Sequence, residues 1–219
     1  ARPDVSKNSA GYALWNVWDR NTFDINKLFV GSQGTLGLIT SAKLRLVRAK
    51  KYSRLAAVFL KDLKPLAELV AAALKFKPES LESYDDKTLW LALRYLPALL
   101  KLMKGNIVKL AFQFLPEFLM VLKGGVPKMI MLAEFASDDA EELVQRLNSF
   151  RSAMLKFGVG VRLTKSAAEA EKYFTIRRQS FKLLHGYITD KETAPFIDDF
   201  IVKPQYLPEF LPRLNEILE

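Results

Sequence analysis

Hydrophobic and polar positions predict two strand–helix–strand units within residues 51–219. The first unit opens with a short apolar strand over 54–60. A helix over 66–76 follows, because its apolar residues return at helical spacing, and Asp62 is its expected cap. Residues 81–84 give the second strand. This alternation predicts one β-α-β unit at the start of the region.

The second unit repeats the pattern further along the chain. Residues 128–135 form an apolar strand, and Ser137 with the acids that follow it begins a helix that runs to about Lys156 and stops at Gly158. Residues 159–163 are the return strand. Ser166 is expected to cap a long helix over 167–184. Two such units in tandem, with crossing helices on one face, predict an α+β sandwich of ferredoxin-like character.

A segment over 89–125 separates the two units and is not needed by the plain sandwich. Its two apolar stretches, 89–100 and 110–122, are predicted helices flanked by lysines. Neither contains the roughly 18 uninterrupted apolar residues that a membrane span requires. Two interpretations stay open: a helical hairpin packed on its own domain, or helices that lie on an anionic membrane surface.

Three evenly spaced glycines between apolar runs mark the first 50 residues. Gly31, Gly34 and Gly37 lie between 28–30 and 36–39. These runs suggest two strands whose connection presents backbone N–H groups, an arrangement that binds anions and pyrophosphate. A purely structural hairpin is the alternative. Residues 41–47 alternate polar and apolar, which predicts a half-buried strand.

Composition and charge narrow the classes of function. The 219 residues are 50% hydrophobic and 26% charged, which is typical of a globular chain. Because cysteine is absent and there is only one histidine, disulfides and Cys- or His-rich metal sites are excluded within these residues. The formal net charge is +9, but the basic residues are scattered and form no stripe with interleaved aromatics. Nucleic-acid binding is therefore not expected, and no metal site is predicted.

The glycine segment, Phe-Val-Gly-Ser-Gln-Gly-Thr-Leu-Gly-Leu-Ile-Thr over 29–40, closely resembles a known signature. This is the Gly-Ser-Glu-Gly-Thr-Leu-Gly-Ile-Ile-Thr string of FAD-linked oxidases of the vanillyl-alcohol-oxidase type, which include D-lactate dehydrogenases and the glycolate oxidase flavin subunit. Gln33 stands where the family usually has Glu, and Leu38 where it has Ile. Further segments resemble family blocks in the same order: 7–12, 83–89, 173–178, and 199–202 with 207–211.

The resemblance implies a domain arrangement and a cofactor. Residues 1–50 would be the C-terminal part of an FAD-binding domain, and 51–219 a ferredoxin-like substrate or cap domain with a helical insertion at about 89–125. The chain would be an excised fragment, truncated at its C-terminus and inactive alone. FAD is the implied cofactor. The implied FAD contacts are Gly31, Ser32, Gly34, Thr35, Gly37, Leu38 and Ile39.

Arg177 aligns with a family arginine that faces the active site and pairs with the substrate carboxylate. A guanidinium suits this role because its fork grips a carboxylate at two points. Arg178 stands where the family has Glu, so the local field is expected to be more positive and to favour an acidic substrate; alternatively Arg178 points into water. Catalytic residues are not assigned, since the family's Pro-x-Gly-Gly-Gly-Thr loop and His-x-His cluster are absent from these residues.

The implied function is part of an FAD-dependent oxidoreductase that oxidises a 2-hydroxy acid of the D-lactate or glycolate type. Its electrons would pass to a quinone or a partner protein, and 89–125 would provide the docking surface or a peripheral membrane contact. The expected location is the cytoplasm or the inner face of the membrane. Two alternatives stay open: a flavoprotein resembling alkyl-ether lipid synthases, and a non-catalytic interaction domain whose glycine turn is structural.

Overall fold

The computed structural model describes residues 4–5, 11–95, 125–187 and 200–218. Contacts divide the chain into two units: the smaller contains 1–48 with 196–203, and the larger contains 49–195 with 204–219. The described helices are α1 (Asn26–Phe29), α2 (Leu66–Leu74), α3 (Asp86–Arg94), α4 (Ala140–Leu155), α5 (Ala167–Tyr187) and α6 (Leu207–Leu218). Short 3₁₀ turns lie at Leu14–Asn16 and Pro204–Tyr206.

A four-stranded antiparallel sheet organises the larger unit. Its strands are β1 (Tyr52–Leu60), β2 (Ser80–Asp85), β3 (Met129–Ser137) and β4 (Gly160–Leu163). Their spatial order is β2-β3-β1-β4, and every pair is antiparallel. Two strand–helix–strand units folded into this order confirm the predicted α+β sandwich of ferredoxin-like character.

One face of the sheet is covered by α2 and α4, as the tandem units predict. Residues of β1 that point to this face, such as Val58, pack with Phe135 of β3 and with Phe150 of α4. The ring centroids of Phe135 and Phe150 are 5.0 Å apart, and Phe76 meets Phe150 edge-on at 5.6 Å. This is the larger of the unit's two apolar cores.

The opposite face carries a second core beneath α3 and α5, which the tandem units do not predict. Leu55, Ala57 and Phe59 of β1 pack there with Tyr173 and Ile176 of α5. Because both faces are covered, residues 55–60 of β1 are all buried and form a continuous apolar run rather than an alternating one.

The predicted start of α4 and the predicted cap of α5 are confirmed. Asp139 Oδ1 accepts hydrogen bonds from the N–H groups of Glu141 at 2.8 Å and Glu142 at 3.2 Å, so α4 begins at Ala140, within the segment 137–141 that was expected to start it. Ser166 Oγ accepts from Glu169 N–H at 3.2 Å at the start of α5. Both caps satisfy N–H groups that have no partner inside the helix.

The predicted cap of α2 is wrong. Asp62 Oδ1 accepts from Lys64 N–H at 3.0 Å, and α2 begins after Pro65 with no side-chain cap. Asp62 therefore closes a turn that precedes the helix. The helix also ends earlier than expected, at Leu74. Just beyond this end, the carbonyl oxygen of Phe76 accepts hydrogen bonds from Arg146 Nε at 3.0 Å and Nη2 at 2.8 Å.

The predicted insertion is described only at its two ends. Helix α3 begins at Asp86, where Asp85 Oδ1 accepts from Thr88 N–H at 2.8 Å, and runs to Arg94. The predicted helices beyond this point, within 96–124, lie outside the described residues. Among the helices that the structure does describe, none is long and apolar enough to cross a membrane.

The strands predicted within residues 28–47 are wrong. Leu28 and Phe29 belong to α1, and residues 37–50 have neither helix nor strand. Leu44, Leu46 and Val47 are 77–88% exposed. A strand needs a neighbouring strand to satisfy its backbone groups, and no described residue pairs with this segment. An alternating sequence is therefore not sufficient here, because no neighbouring strand among the described residues pairs with this segment.

Candidate functional site

The glycine segment forms a compact turn directly after α1. Ser32 N–H donates to the carbonyl oxygen of Phe29 at 3.2 Å, and Thr35 N–H donates to that of Ser32 at 3.0 Å. The Thr35 hydroxyl donates to the same Ser32 oxygen at 2.6 Å, and Tyr12 Oη lies 2.8 Å from Thr35 Oγ1. Ser32 is buried. These bonds fix the turn from within, as the structural alternative requires.

The backbone of the turn is left-handed at two consecutive residues. Gln33 has a φ of +51° and Gly34 a φ of +78°. A Cβ placed on Gly34 would meet nothing within 4 Å, so the backbone conformation rather than crowding favours glycine there. The N–H groups of Gly34 and Gly37 find no acceptor within the described residues. Consecutive backbone N–H groups in such a turn form an anion-binding concavity.

The seven predicted FAD contacts thus lie on one continuous segment of the smaller unit. Ser32 and Thr35 hold the turn, the glycines expose its backbone, and Leu38 and Ile39 are 92% and 65% exposed. No residue within 31–39 is charged. A polar linker flanked by apolar walls fits a segment of this kind, so the residues present are compatible with FAD.

Arg177, the predicted substrate ligand, lies on α5 in the larger unit. Its neighbour Ile176 is buried in the core beneath this helix. Arg177 Nε lies 3.2 Å from Glu82 Oε2 on β2, and the two side chains are 43% and 31% exposed. The arginine is therefore partly open to solvent while its guanidinium contacts a carboxylate of the same unit.

Arg178 was expected to make the electrostatic field near Arg177 more positive, but its own charge is paired with a carboxylate. Its Nη2 lies 2.5 Å from Glu171 Oε1, and both side chains are more than half exposed. Its guanidinium also lies 5.9 Å from the ring centre of Phe174. Each arginine of the pair thus has a carboxylate beside it, and the second interpretation, in which Arg178 points into water, describes its position.

Glu82 is the residue of this region that sequence reasoning missed. It directly precedes the 83–89 segment that resembles a family block, and it lies opposite Leu132 in the sheet. Its position in the strand could have indicated this contact. Ser80, Glu82 and Tyr84 point to the same side of β2, because every second residue of a strand shares a face, and Tyr84 belongs to the core beneath α5. A carboxylate on that side of the strand faces the helix that carries Arg177.

Other charged clusters in the larger unit have structural partners. Glu169 accepts from Arg162 Nε at 2.9 Å and from Lys165 N–H at 2.7 Å. Lys128 Nζ lies 2.8 Å from Asp86 Oδ2, and this contact raises the pKa of Lys128. Within the described parts of the chain, no group of three or more His, Cys, Asp or Glu side chains is placed to hold a metal ion.

Comparison with known proteins gives one family and several relatives. Residues 49–219 match the family model described as FAD linked oxidases, C-terminal domain. The D-2-hydroxyglutarate dehydrogenase of Pseudomonas putida is 23% identical over 222 residues, which cover 99% of this chain and 21% of the relative. The enzyme of the same name from Escherichia coli is also 23% identical, over 226 residues and with the same coverage. The chain therefore spans about a fifth of the length of the curated relatives it matches.

Proposed function

Because the chain belongs to the FAD-linked oxidase family through the C-terminal domain at residues 49–219, we propose that the intact protein oxidises a 2-hydroxy acid. The family match carries this proposal, and it agrees with the resemblance of the glycine turn. The cofactor of the family is FAD. The relatives named D-2-hydroxyglutarate dehydrogenase support a hydroxy acid as substrate and favour it over an ether-lipid precursor.

The proposed cofactor contacts are the backbone and hydroxyl groups of the glycine turn. The N–H groups of Gly34 and Gly37 would donate to the cofactor's polar linker, while Ser32 and Thr35 keep the turn in shape. Leu38 and Ile39 would supply apolar walls. When bound, FAD supplies the acceptor for the hydride that leaves the hydroxyl-bearing carbon. The base that takes the hydroxyl proton is not assigned among the described residues.

Arg177 is proposed to bind the substrate carboxylate. Its side chain is partly exposed, and Nε of its guanidinium contacts Glu82. A planar fork of N–H donors recognises a carboxylate with defined geometry, which places the adjacent carbon at a fixed position. Substrate orientation is therefore the contribution we assign to this residue.

The proposed boundary between the two domains lies near residue 50. Residues 1–50 would complete an FAD-binding domain, and 51–219 would form the cap domain. The contact-based division at 48 and the start of the family match at 49 support this boundary. Residues 200–203 also group with the smaller unit.

Electron transfer away from the flavin is proposed to go to a quinone or a protein acceptor. The apolar, lysine-flanked segment at 89–125 supports a docking surface or a peripheral contact with the inner face of the membrane. Anionic vesicles added to the purified protein test the membrane contact directly. Co-sedimentation that is lost when the flanking lysines are replaced would support it.

The decisive experiment for the activity uses the full-length protein and its visible flavin absorbance. Glycolate, both lactate enantiomers and D-2-hydroxyglutarate are added anaerobically in turn. Bleaching by one acid supports the proposal and identifies the substrate. A yellow protein that none of them reduces contradicts hydroxy-acid oxidation, and a colourless protein that does not take up FAD contradicts the flavoenzyme assignment.

The role of Arg177 has a matched control in its neighbour. Arg177→Ala is expected to raise the KM for the identified acid about 10- to 100-fold, the scale of a hydrogen bond to a charged group. Arg178→Ala removes a guanidinium of the same size next to it, one that pairs with Glu171 in solvent, and should leave KM nearly unchanged. Equal effects of the two substitutions would contradict the assignment.

A further inference from the structure

The position of Glu82 is set by the sheet. It lies on β2 opposite Leu132 of the neighbouring strand. Tyr84, two residues along on the same side, is buried in the core beneath α3 and α5. Ser80, two residues earlier, donates through its hydroxyl to Glu134 at 3.3 Å. The backbone that carries the Glu82 carboxylate is therefore held by strand pairing, which fixes the point from which the side chain extends.

The contact between Glu82 and Arg177 is made at one edge of the guanidinium. Glu82 Oε2 lies 3.2 Å from Nε, the nitrogen closest to the aliphatic stem. A contact at Nε restricts rotation of the guanidinium plane, because Nε is the pivot between the stem and the fork. An arginine side chain otherwise has large rotamer freedom, and that freedom must be given up when the fork engages a ligand.

The neighbouring ion pair of Arg178 has a different setting. Glu171 and Arg178 lie on the same helix, and their side chains are 60% and 54% exposed. Within the described parts of the chain, neither side chain has an ion pair or hydrogen bond to the sheet. The two adjacent arginines thus have carboxylate partners of similar chemistry, but only Glu82 ties its arginine to a second element of the fold.

We propose that Glu82 is a positioning residue for the substrate carboxylate, acting through Arg177. By holding Nε, it orients the guanidinium before the substrate arrives, so less conformational freedom is lost on binding. This inference rests on the proposed role of Arg177 in the oxidation of a 2-hydroxy acid. It adds a residue from β2 to a site that sequence resemblance assigned to α5 alone.

The test compares two substitutions of Glu82 in the full-length flavoprotein. Glu82→Ala removes the carboxylate that pairs with Arg177, and KM for the reducing acid should rise about 3- to 10-fold, the scale for immobilising one flexible side chain, with kcat within about twofold of wild type. Glu82→Gln keeps the length of the side chain but loses the charge of the ion pair, so it should recover only part of the lost affinity. A contribution to folding alone would not produce this split between KM and kcat.

Glu171→Ala is the matched control, because it removes the carboxylate partner of Arg178 and leaves that of Arg177 in place. It should leave KM unchanged. The flavin spectrum and the thermal unfolding midpoint verify that each variant is folded. Should Glu82→Ala not fold, Glu82→Asp withdraws the carboxylate by one methylene and should raise KM in the same direction.

The outcomes separate this inference from the proposed function. If no 2-hydroxy acid reduces the wild-type flavin, both are overturned. If an acid reduces it but Glu82→Ala leaves KM unchanged or lowers it, only the role of Glu82 is wrong, and a lowered KM would identify Glu82 as a competitor for Arg177. An equal rise in Glu171→Ala would also overturn the inference.

Discussion

At the scale of single residues, Glu169 is held in its ionised form by its neighbours. Burial on its own raises the pKa of this carboxyl, but hydrogen bonds from Lys165 N–H and from Arg162, together with the charge of Arg162, outweigh burial. The pKa of Glu169 therefore lies below its ordinary value of 4.5. The ionised side chain links the first turn of α5 to β4.

A lowered pKa makes this contact sensitive to acid in a defined direction. The unfolded chain takes up the proton first, so the contribution of Glu169 to stability is complete above pH 4.5 and is lost as the pH falls further toward the folded pKa. Urea unfolding across this range should show a steeper loss for wild type than for Glu169→Gln. Glu68→Gln on the exposed side of α2 is the control, and identical curves for wild type and Glu169→Gln would contradict the prediction.

The sequence singles out residues whose type is informative by itself or through family resemblance. Local spacing alone singled out the glycine turn, and the structure places Gly34 in the left-handed conformation that favours glycine. Family resemblance was needed to single out Arg177. Neither signal pointed to Glu82, because its contact with Arg177 joins a strand to a helix far along the chain. Such a partner is set by tertiary packing, which hydrophobic periodicity does not specify.

At the scale of elements, the start of α4 depends on one side chain. Asp139 Oδ1 accepts from two backbone N–H groups of the first turn. Asp139→Ala should lower the free energy of unfolding by about 1 kcal/mol, whereas Asp139→Asn retains an acceptor and should cost less. Urea unfolding with an unchanged m-value is the measurement. Equal losses for the two variants would show that the cap contributes charge rather than hydrogen bonds.

The two sides of α4 should respond very differently to truncation. Phe150 is fully buried against Phe135 and Phe76, while Leu155 on the same helix is 47% exposed. Phe150→Ala should cost about 3–5 kcal/mol because it removes buried area and leaves a cavity, and Leu155→Ala about 0.5 kcal/mol or less. Thermal or urea unfolding distinguishes these values. Similar losses at both positions would contradict the observed orientation of the helix.

The elements that were predicted correctly carry local signals. The helix over 140–155 is preceded by the capping residue Asp139, has apolar residues at helical spacing and is followed shortly by Gly158. The strands expected within 36–47 were predicted from an apolar run over 36–39 and an alternation over 41–47, and a strand is completed by hydrogen bonds to residues elsewhere in the chain. The cap assigned to Asp62 failed for a related reason, since its side chain closes a turn two residues earlier than the helix.

At the scale of the whole molecule, tandem strand–helix–strand units were enough to predict the sandwich. In the observed order β2-β3-β1-β4, the first strands of the two units, β1 and β3, pair at the centre of the sheet, and their second strands, β2 and β4, lie at its edges. The second layer of helices was not predicted, because α3 and α5 lie outside the repeated pattern and their contacts with β1 are long-range. That layer carries Arg177, so the part of the fold beyond the repeat is the part that bears on the proposed chemistry.

Residues 37–50, which lead up to the boundary at residue 48, should be the easiest described part of this chain to cleave. Residues 37–50 have no helix or strand, and Lys43, Arg45 and Arg48 are exposed. The chain becomes anchored just after them, where Asp138 accepts from Lys50 Nζ at 3.0 Å and from Lys51 N–H at 3.1 Å. Because proteases need locally extended chain, trypsin should cut after these three basic residues before it cuts within α4.

Mass spectrometry of a limited digest of the 219-residue chain is the measurement. The expected product begins between residues 44 and 49 and retains the larger unit, whose sheet has both faces covered. Replacing the three basic residues with Gln should remove this product without changing the thermal midpoint. Cleavage at Arg146 or Arg151 of α4 ahead of the segment would show that the larger unit opens first, and would count against a boundary near residue 50.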